Sequence, residues 1–140
     1  MAPARGGLTP VPARRLRQAS LVLTITWAAL IYYLSDQPGL DIPLAFPLQD
    51  KLMHLLAYGV LGFLALGTQR LCASGFSVLS YWKITALTAL YGVLDEFHQS
   101  FVPGRNADVL DVLADASGAL LGAGLLFFTV RKLGFTRRKI

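Results

Sequence analysis

Charged residues are scarce in this chain, and their scarcity is the first indication of its class. They make up 15% of its 140 residues, against about 25% in an ordinary soluble domain, while apolar residues make up 54%. The mean hydropathy of +0.53 points the same way. The composition therefore predicts a protein that lies in a lipid bilayer and excludes a separate soluble catalytic domain.

Cysteine is nearly absent as well, since Cys72 is the single one. It forms no internal disulfide, and it lacks the paired Cys or His spacing of a metal clip. The net charge of +5 does not indicate nucleic acid as a partner, because basic residues of membrane proteins more often fix orientation and contact anionic lipid headgroups. We expect no cofactor, membrane lipids as partners, and leave a homo-oligomer open.

Long apolar runs are what the sequence does contain, and each of four is long enough to cross about 30 Å of hydrocarbon. They predict an all-α membrane protein, a four-helix transmembrane bundle, with spans at about residues 16–34, 51–71, 78–99 and 108–130. The Pro- and Gly-rich residues 1–13 predict a disordered tail. Residues 14–132 then form the membrane domain, and residues 133–140 a basic tail.

The two signs of charge fall at opposite ends of these spans. Of the 13 basic residues, 11 lie on the side of the two termini, at the first span, the turn between spans two and three, and the end of span four. The positive-inside rule predicts that both termini are cytoplasmic. All eight acids fall at the other face: Asp36, Asp41, Asp50, Asp95, Glu96, Asp108, Asp111 and Asp115.

Polar residues on spans two and three recur at helical spacing near this outer face. His54 and Tyr58 share one stripe of span two with either Asp50 or Lys51. On span three, Glu96 and Gln99 are three residues apart and share a face. Asp95 points about 100° away from Glu96, so we expect only Glu96 to turn inward.

Span four carries a second polar stripe of Asp108, Asp111 and Asp115, continued by glycines that permit close helix packing. A carboxylate inside the bilayer costs about 2.5 to 3.5 kcal/mol, so these acids should face a partner or a wet cavity. The loop before the stripe contains Pro103 and Gly104 for a tight turn and presents Arg105. That arginine is expected to pair with Asp108 or Asp111, or to clamp an anionic group bidentately.

Two segments, DKLMHLLAYGVLGF and DEFHQSFVPGRNADVLDVLADASGALLG, resemble the VanZ-like family of small membrane proteins, named for a member associated with teicoplanin resistance. The matching positions are Asp50, Lys51, His54, Tyr58, Gly62, Glu96, Gln99, Pro103, Arg105, Asp108, Asp111, Asp115 and Gly118. The family often has Asn where this chain has Asp115. The resemblance implies a four-helix membrane fold and a cell-envelope setting in the bacterial cytoplasmic membrane.

The favoured interpretation is an outward-facing pocket, formed by spans two, three and four, that binds or modifies an anionic envelope molecule such as a lipid headgroup, a lipid-linked precursor or a peptidoglycan component. His54 would act as general acid or base, Glu96 or Asp111 would orient it, and Tyr58 would close the pocket. Lys51 and Arg105 would hold phosphate or carboxylate. The wider substrate-binding set adds Gln99, Asp50, Asp108 and Asp115.

Three alternatives stay open beside this interpretation. In the first, the protein has a structural or assembly role and its charged residues only fix helix packing. Interhelical polar contacts, however, average well below 2 kcal/mol each. A metal site would draw on His54, Glu96, His98 and Asp111, but no HxxxH or HExxH pairing indicates one, and no metal is assigned. A small transporter subunit would use Asp115 and Glu96 as a proton relay.

Overall fold

The chain folds into a bundle of four helices. A computed structural model describes residues 13–38, 46–72 and 76–137, and those ranges contain no strand. The helices are α1 (Ala13–Ser35), α2 (Gln49–Cys72), α3 (Val78–Gln99) and α4 (Val109–Arg137). The predicted all-α four-helix bundle is confirmed. The predicted disordered tail lies outside the described residues except for Ala13, as do residues 138–140 of the basic tail.

Three of the helices, α1, α2 and α4, are long and apolar enough to cross a membrane. Helix α3 is less apolar because Lys83 lies near one of its ends and Asp95 and Glu96 near the other. Its 22 residues nevertheless reach about 33 Å, and it packs against the other three helices. Helix α3 therefore extends across the same thickness as its neighbours.

The outward surface of the bundle is apolar. Leu23, Leu87, Leu121 and Phe128 are each more than half exposed. In water such a surface would be costly, whereas in a bilayer it meets acyl chains of similar polarity. Packing inside the bundle, and not burial away from water, must therefore hold the helices together.

Glycines bring α2 and α4 into close contact. A Cβ atom on Gly118 would collide with the Leu55 carbonyl oxygen, and one on Gly122 with the Gly59 carbonyl oxygen. On the α2 side, a Cβ atom on Gly62 would lie 2.7 Å from the Ala119 carbonyl oxygen. The two backbones thus approach each other as small-residue membrane interfaces do.

Helix α1 docks on α2 and α3 through polar contacts. The Thr68 hydroxyl lies 2.7 Å from that of Ser20 and 2.8 Å from that of Thr24. Trp27 Nε1 donates to the Ala57 carbonyl at 2.9 Å, and the Tyr91 hydroxyl donates to a carbonyl of α1 at 2.9 Å. Helix α1 is therefore an integral part of the bundle.

Local capping fixes where α4 begins. Gly104 adopts φ 77°, a conformation that favours glycine, and ends the turn after α3. Asp108 directly precedes α4, and its Oδ1 accepts from the Leu110 N–H at 2.9 Å, as an N-cap side chain does. The predicted tight turn is confirmed, and it leaves Arg105 close to the end of α1.

Candidate functional site

The described acids lie at one end of the bundle, where α1 and α3 end and α2 and α4 begin. The ten residues predicted for the site are brought to this end as well. They divide into two adjoining groups. One group surrounds Lys51 and the start of α4, and the other lines a cavity between α1, α2 and α3, with His54 touching both.

His54 is held by a buried carboxylate from α4. Its Nδ1 lies 3.0 Å from Asp115 Oδ1 and 3.8 Å from Glu96 Oε1, and Asp115 is fully buried. An ionised carboxylate accepts and does not donate, so Nδ1 would carry the proton in this contact, and Nε2 of the neutral imidazole would keep its lone pair. No described protein group hydrogen-bonds Nε2. This is the arrangement of an oriented general base.

The predicted orienting residues were Glu96 or Asp111, whereas Asp115, which the sequence interpretation had placed in the binding set, makes the shorter contact with His54. Two features bring Asp115 to His54: Asp115 lies one helical turn deeper on α4 than Asp111, and α3 leaves room for its carboxylate. Gly92 of α3 lies opposite, and a Cβ atom there would lie 2.7 Å from Asp115 Oδ2. A side chain at that position would displace the carboxylate that contacts His54.

Lys51 is surrounded by acids of its own and the facing helix. Its Nζ lies 2.6 Å from Asp108 Oδ2, 2.8 Å from Asp111 Oδ1 and 3.0 Å from Asp50 Oδ2. The hydrogen bond from Lys51 lowers the pKa of Asp108, which precedes α4, below its ordinary value of 3.8. Lys51 is thus engaged with protein carboxylates and does not line the cavity.

Both acids near the end of α3 are buried. Glu96 Oε2 accepts from the Asp108 N–H and its Oε1 accepts from Gln99 Nε2, each at 3.1 Å. Asp95 is 4% exposed, so the expectation that only Glu96 turns inward is wrong. Helix α3 packs against α4 on one side and against α1 and α2 on the other, so two directions on α3 lead into the bundle.

The cavity has a volume of about 250 Å³. Five predicted residues line it: Asp50, His54, Tyr58, Gln99 and Arg105. Helix α1 contributes Ile31, Leu34 and Ser35 to the lining. The prediction of a pocket formed by spans two, three and four is therefore wrong about one helix, because the described lining includes α1 and no residue of α4. The glycines keep α2 and α4 in direct contact, and this cavity lies on the α1 side of α2.

Arg105 joins the α3–α4 turn to the end of α1. Its Nη2 donates to the Leu34 carbonyl at 2.9 Å and its Nε donates to the Gln37 carbonyl at 3.3 Å. Leu34 lies in the last turn of α1 and Gln37 just beyond it, at the negative end of the helix, which attracts a cation. Arg105 therefore does not pair with Asp108 or Asp111 as expected. Among the described lining residues it is the only cationic one other than His54.

Two buried polar atoms in the cavity wall have no well-formed hydrogen bond within the described residues. The Tyr58 hydroxyl, in a residue that is 1% exposed, lies beside the Asp95 carboxylate, and neither it nor Asp95 Oδ1 has a hydrogen-bond partner of good geometry. Buried polar groups are normally paired, so such atoms are candidates for contact with a polar ligand. Sequence spacing indicated Tyr58, whereas the burial of Asp95 had no signal beyond its position next to Glu96.

The residues of the metal alternative are only partly brought together. His54, Glu96 and Asp111 each offer one ligating atom, and these atoms lie within 4.8 Å of one another. His98 is elsewhere, with its Nε2 3.0 Å from Asp36 Oδ1 and its ring stacked on Tyr32. The fourth residue of that predicted set is thus not near the other three.

Comparison with known proteins gives one family. The sequence model of the VanZ/LLP1 family matches residues 20–131, which include α2 and α3 entirely, most of α1 and α4, and every residue of the candidate site. No curated protein and no solved structure matches the chain.

Proposed function

The chain belongs to the VanZ/LLP1 family, and from that premise we propose that it is a membrane protein whose cavity binds or modifies an anionic molecule of the cell envelope. The molecule would be a lipid headgroup, a lipid-linked precursor or a peptidoglycan component. One observation carries the proposal: His54, backed by the buried Asp115, lines the same cavity as Arg105. Arginine suits phosphate and carboxylate groups because its planar fork offers several donors.

The setting of the proposal is the bacterial cytoplasmic membrane, with both termini in the cytoplasm and the cavity facing outward. The distribution of basic residues supports this orientation. Arg14, Arg15, Arg17, Arg70 and Arg131 all lie at the bundle end opposite the cavity. By the positive-inside rule that end is cytoplasmic, and an outward cavity would be in contact with the lipids and precursors of the envelope.

The chemistry of the proposed site follows from its lining. The anionic group would approach Arg105, and His54 Nε2 would exchange a proton with it or hydrogen-bond it. The Tyr58 hydroxyl and Asp95 Oδ1 would pair with polar atoms of the same ligand. Apolar residues such as Ile31 and Met53 would contact an attached acyl or isoprenoid chain.

Mass spectrometry of the envelope tests this function. Lipids and muropeptides would be compared between cells that lack the protein and cells that carry the wild type, His54→Ala or His98→Ala. His98→Ala is the matched control, because it removes a histidine that also contacts an aspartate but lies outside the cavity. We expect the deletion and His54→Ala to change the same species and His98→Ala to change none.

Susceptibility to teicoplanin, measured in the same strains, adds a second readout. A link to glycopeptide resistance is part of what the resemblance implies, and it requires the deletion and His54→Ala to shift susceptibility together. An envelope profile and a susceptibility that are identical with and without the protein would count against the proposal.

A structural role is the second candidate, and the contacts of Lys51 favour it. One ammonium group joins carboxylates of α2, of the residue before α4, and of α4 itself. If this cluster only fixes helix packing, His54→Ala would lower the stability of the purified protein without changing the envelope. The two candidates therefore differ in which measurement responds to the same variant.

A further inference from the structure

Acidic side chains outnumber cations where α2, α3 and α4 meet behind the cavity. Glu96, Asp111 and Asp115 are all less than 10% exposed. The only lysine there is Lys51, and it already contacts Asp50, Asp108 and Asp111. Buried charge is stable when it is paired or coordinates a metal. Among the described residues, Glu96 and Asp115 thus share a single cationic partner, His54.

The donor atoms of this junction converge from three different helices. His54 comes from α2, Glu96 from α3 and Asp111 from α4, and one ligating atom of each lies within 4.8 Å of the others. Ligands held at about 2.1 Å from one ion lie roughly 3 to 4 Å apart. The His54 Nδ1 to Glu96 Oε1 distance of 3.8 Å is already in this range.

A second observation, independent of that convergence, concerns Asp115. It is fully buried and its carboxylate is directed at His54 Nδ1, yet its Oδ2 has no hydrogen-bond partner. A buried carboxylate with one orphaned oxygen is unusual in a protein interior. It becomes intelligible if the junction carries additional positive charge.

We infer that His54, Glu96 and Asp111 form a binding site for one divalent transition-metal ion. One imidazole nitrogen and two carboxylate oxygens suit Zn²⁺ and similar ions better than Ca²⁺ or Mg²⁺, which prefer all-oxygen sets. Asp111 can keep one oxygen on Lys51 and turn the other to the ion. An ion on His54 Nδ1 replaces the ring proton shared with Asp115, whose Oδ1 then faces the ion as a further carboxylate oxygen.

The site stands whether or not the cavity takes an envelope ligand, but it would set the chemistry of His54. An ion on Nδ1 leaves the ring proton on Nε2. In the metal-bound protein the imidazole therefore donates a hydrogen bond into the cavity, which favours an anionic ligand. In the metal-free protein the same nitrogen accepts.

Titration calorimetry with Zn²⁺ tests the inference on the full chain, purified in detergent and stripped of metal by a chelator. The expected result is one ion per chain for the wild type. His54→Ala and Glu96→Gln should each weaken Zn²⁺ affinity more than about 100-fold, since even loss of a supporting residue weakens metal sites by about 10- to 100-fold. Glu96→Gln keeps the size of the side chain and an oxygen that can accept from the Asp108 N–H.

His98→Ala is the control, because His98 and Asp36 form a histidine–aspartate pair with the same 3.0 Å contact outside the junction. It should leave the affinity unchanged. Binding well below one ion per wild-type chain overturns the inference, and so does full binding by folded Glu96→Gln. A changed envelope profile with no Zn²⁺ binding would leave the proposed function standing and remove the metal site alone.

Discussion

Two tyrosines of the bundle interior differ in what their hydroxyl groups do. The Tyr58 hydroxyl lies in the cavity wall beside the Asp95 carboxylate and has no well-formed hydrogen bond among the described residues. The Tyr81 hydroxyl donates to the Leu120 carbonyl at 3.3 Å, near the opposite end of the bundle. The Tyr58 hydroxyl therefore contributes little hydrogen bonding to the fold, which leaves it available to a ligand.

Tyr58→Phe should therefore leave the stability of the purified protein unchanged while it impairs the envelope phenotype. Tyr81→Phe should do the reverse, with a loss of up to about 1 kcal/mol and a normal phenotype, because it removes a hydrogen bond of the fold. Thermal unfolding in detergent and the envelope profile measure the two effects. A destabilised Tyr58→Phe with a normal phenotype would contradict this assignment.

Helical spacing could predict which residues gather at the site, but it could not predict which atoms pair. His54, Glu96 and Asp111 converge as their spacing indicated. The partner of His54 depended on the room that Gly92 leaves on another helix, and that of Arg105 on where α1 ends. Both are facts about neighbouring helices, which a pattern within one helix does not contain.

At the scale of the helices, the close contact of α2 with α4 decides where the cavity lies. Gly118 and Gly122 face the backbone of α2 directly, so the two helices are in close contact at these positions. Helix α1 packs less closely, through side chains, and the space beside it becomes the cavity. The glycine spacing predicted the close interface, but the involvement of α1 had no comparable signal in its sequence.

Gly122→Ala should destabilise the bundle by about 1 to 3 kcal/mol, since its methyl group would overlap the Gly59 carbonyl oxygen. Gly134→Ala is the matched control on the same helix, because nothing lies within 4 Å of its added Cβ atom. The control should be neutral or slightly stabilising, as alanine favours helix more than glycine. Equal unfolding temperatures for the two variants would rule out the close interface.

For the whole molecule, the distribution of basic residues along the chain predicts the orientation in the membrane. Apolar length and composition predicted the bundle because lipid imposes both on a spanning helix. Helix α3 was predicted as the third apolar run, although Lys83, Asp95 and Glu96 lie near its ends. The side on which the cavity opens follows only from the positive-inside rule.

The single native cysteine offers a measurement of that orientation. Cys72 is exposed at the end of α2 remote from the cavity, so a membrane-impermeant maleimide should not label it in intact cells. Ser100→Cys, combined with Cys72→Ser, places the thiol at the cavity end, where labelling should occur. Labelling of Cys72 in intact cells would reverse the orientation and place the cavity toward the cytoplasm.

Recognition of an anionic envelope molecule through Arg105 is the central claim, and native mass spectrometry tests it most directly. The full chain, purified in detergent, would be incubated with a total lipid extract that contains anionic phospholipids and lipid-linked precursors. Arg70→Ala is the control for Arg105→Ala, because Arg70 lies at the far end of α2 over the Phe76 ring. The wild type and Arg70→Ala should retain one anionic species that Arg105→Ala loses; equal retention by all three, or by none, would contradict the claim.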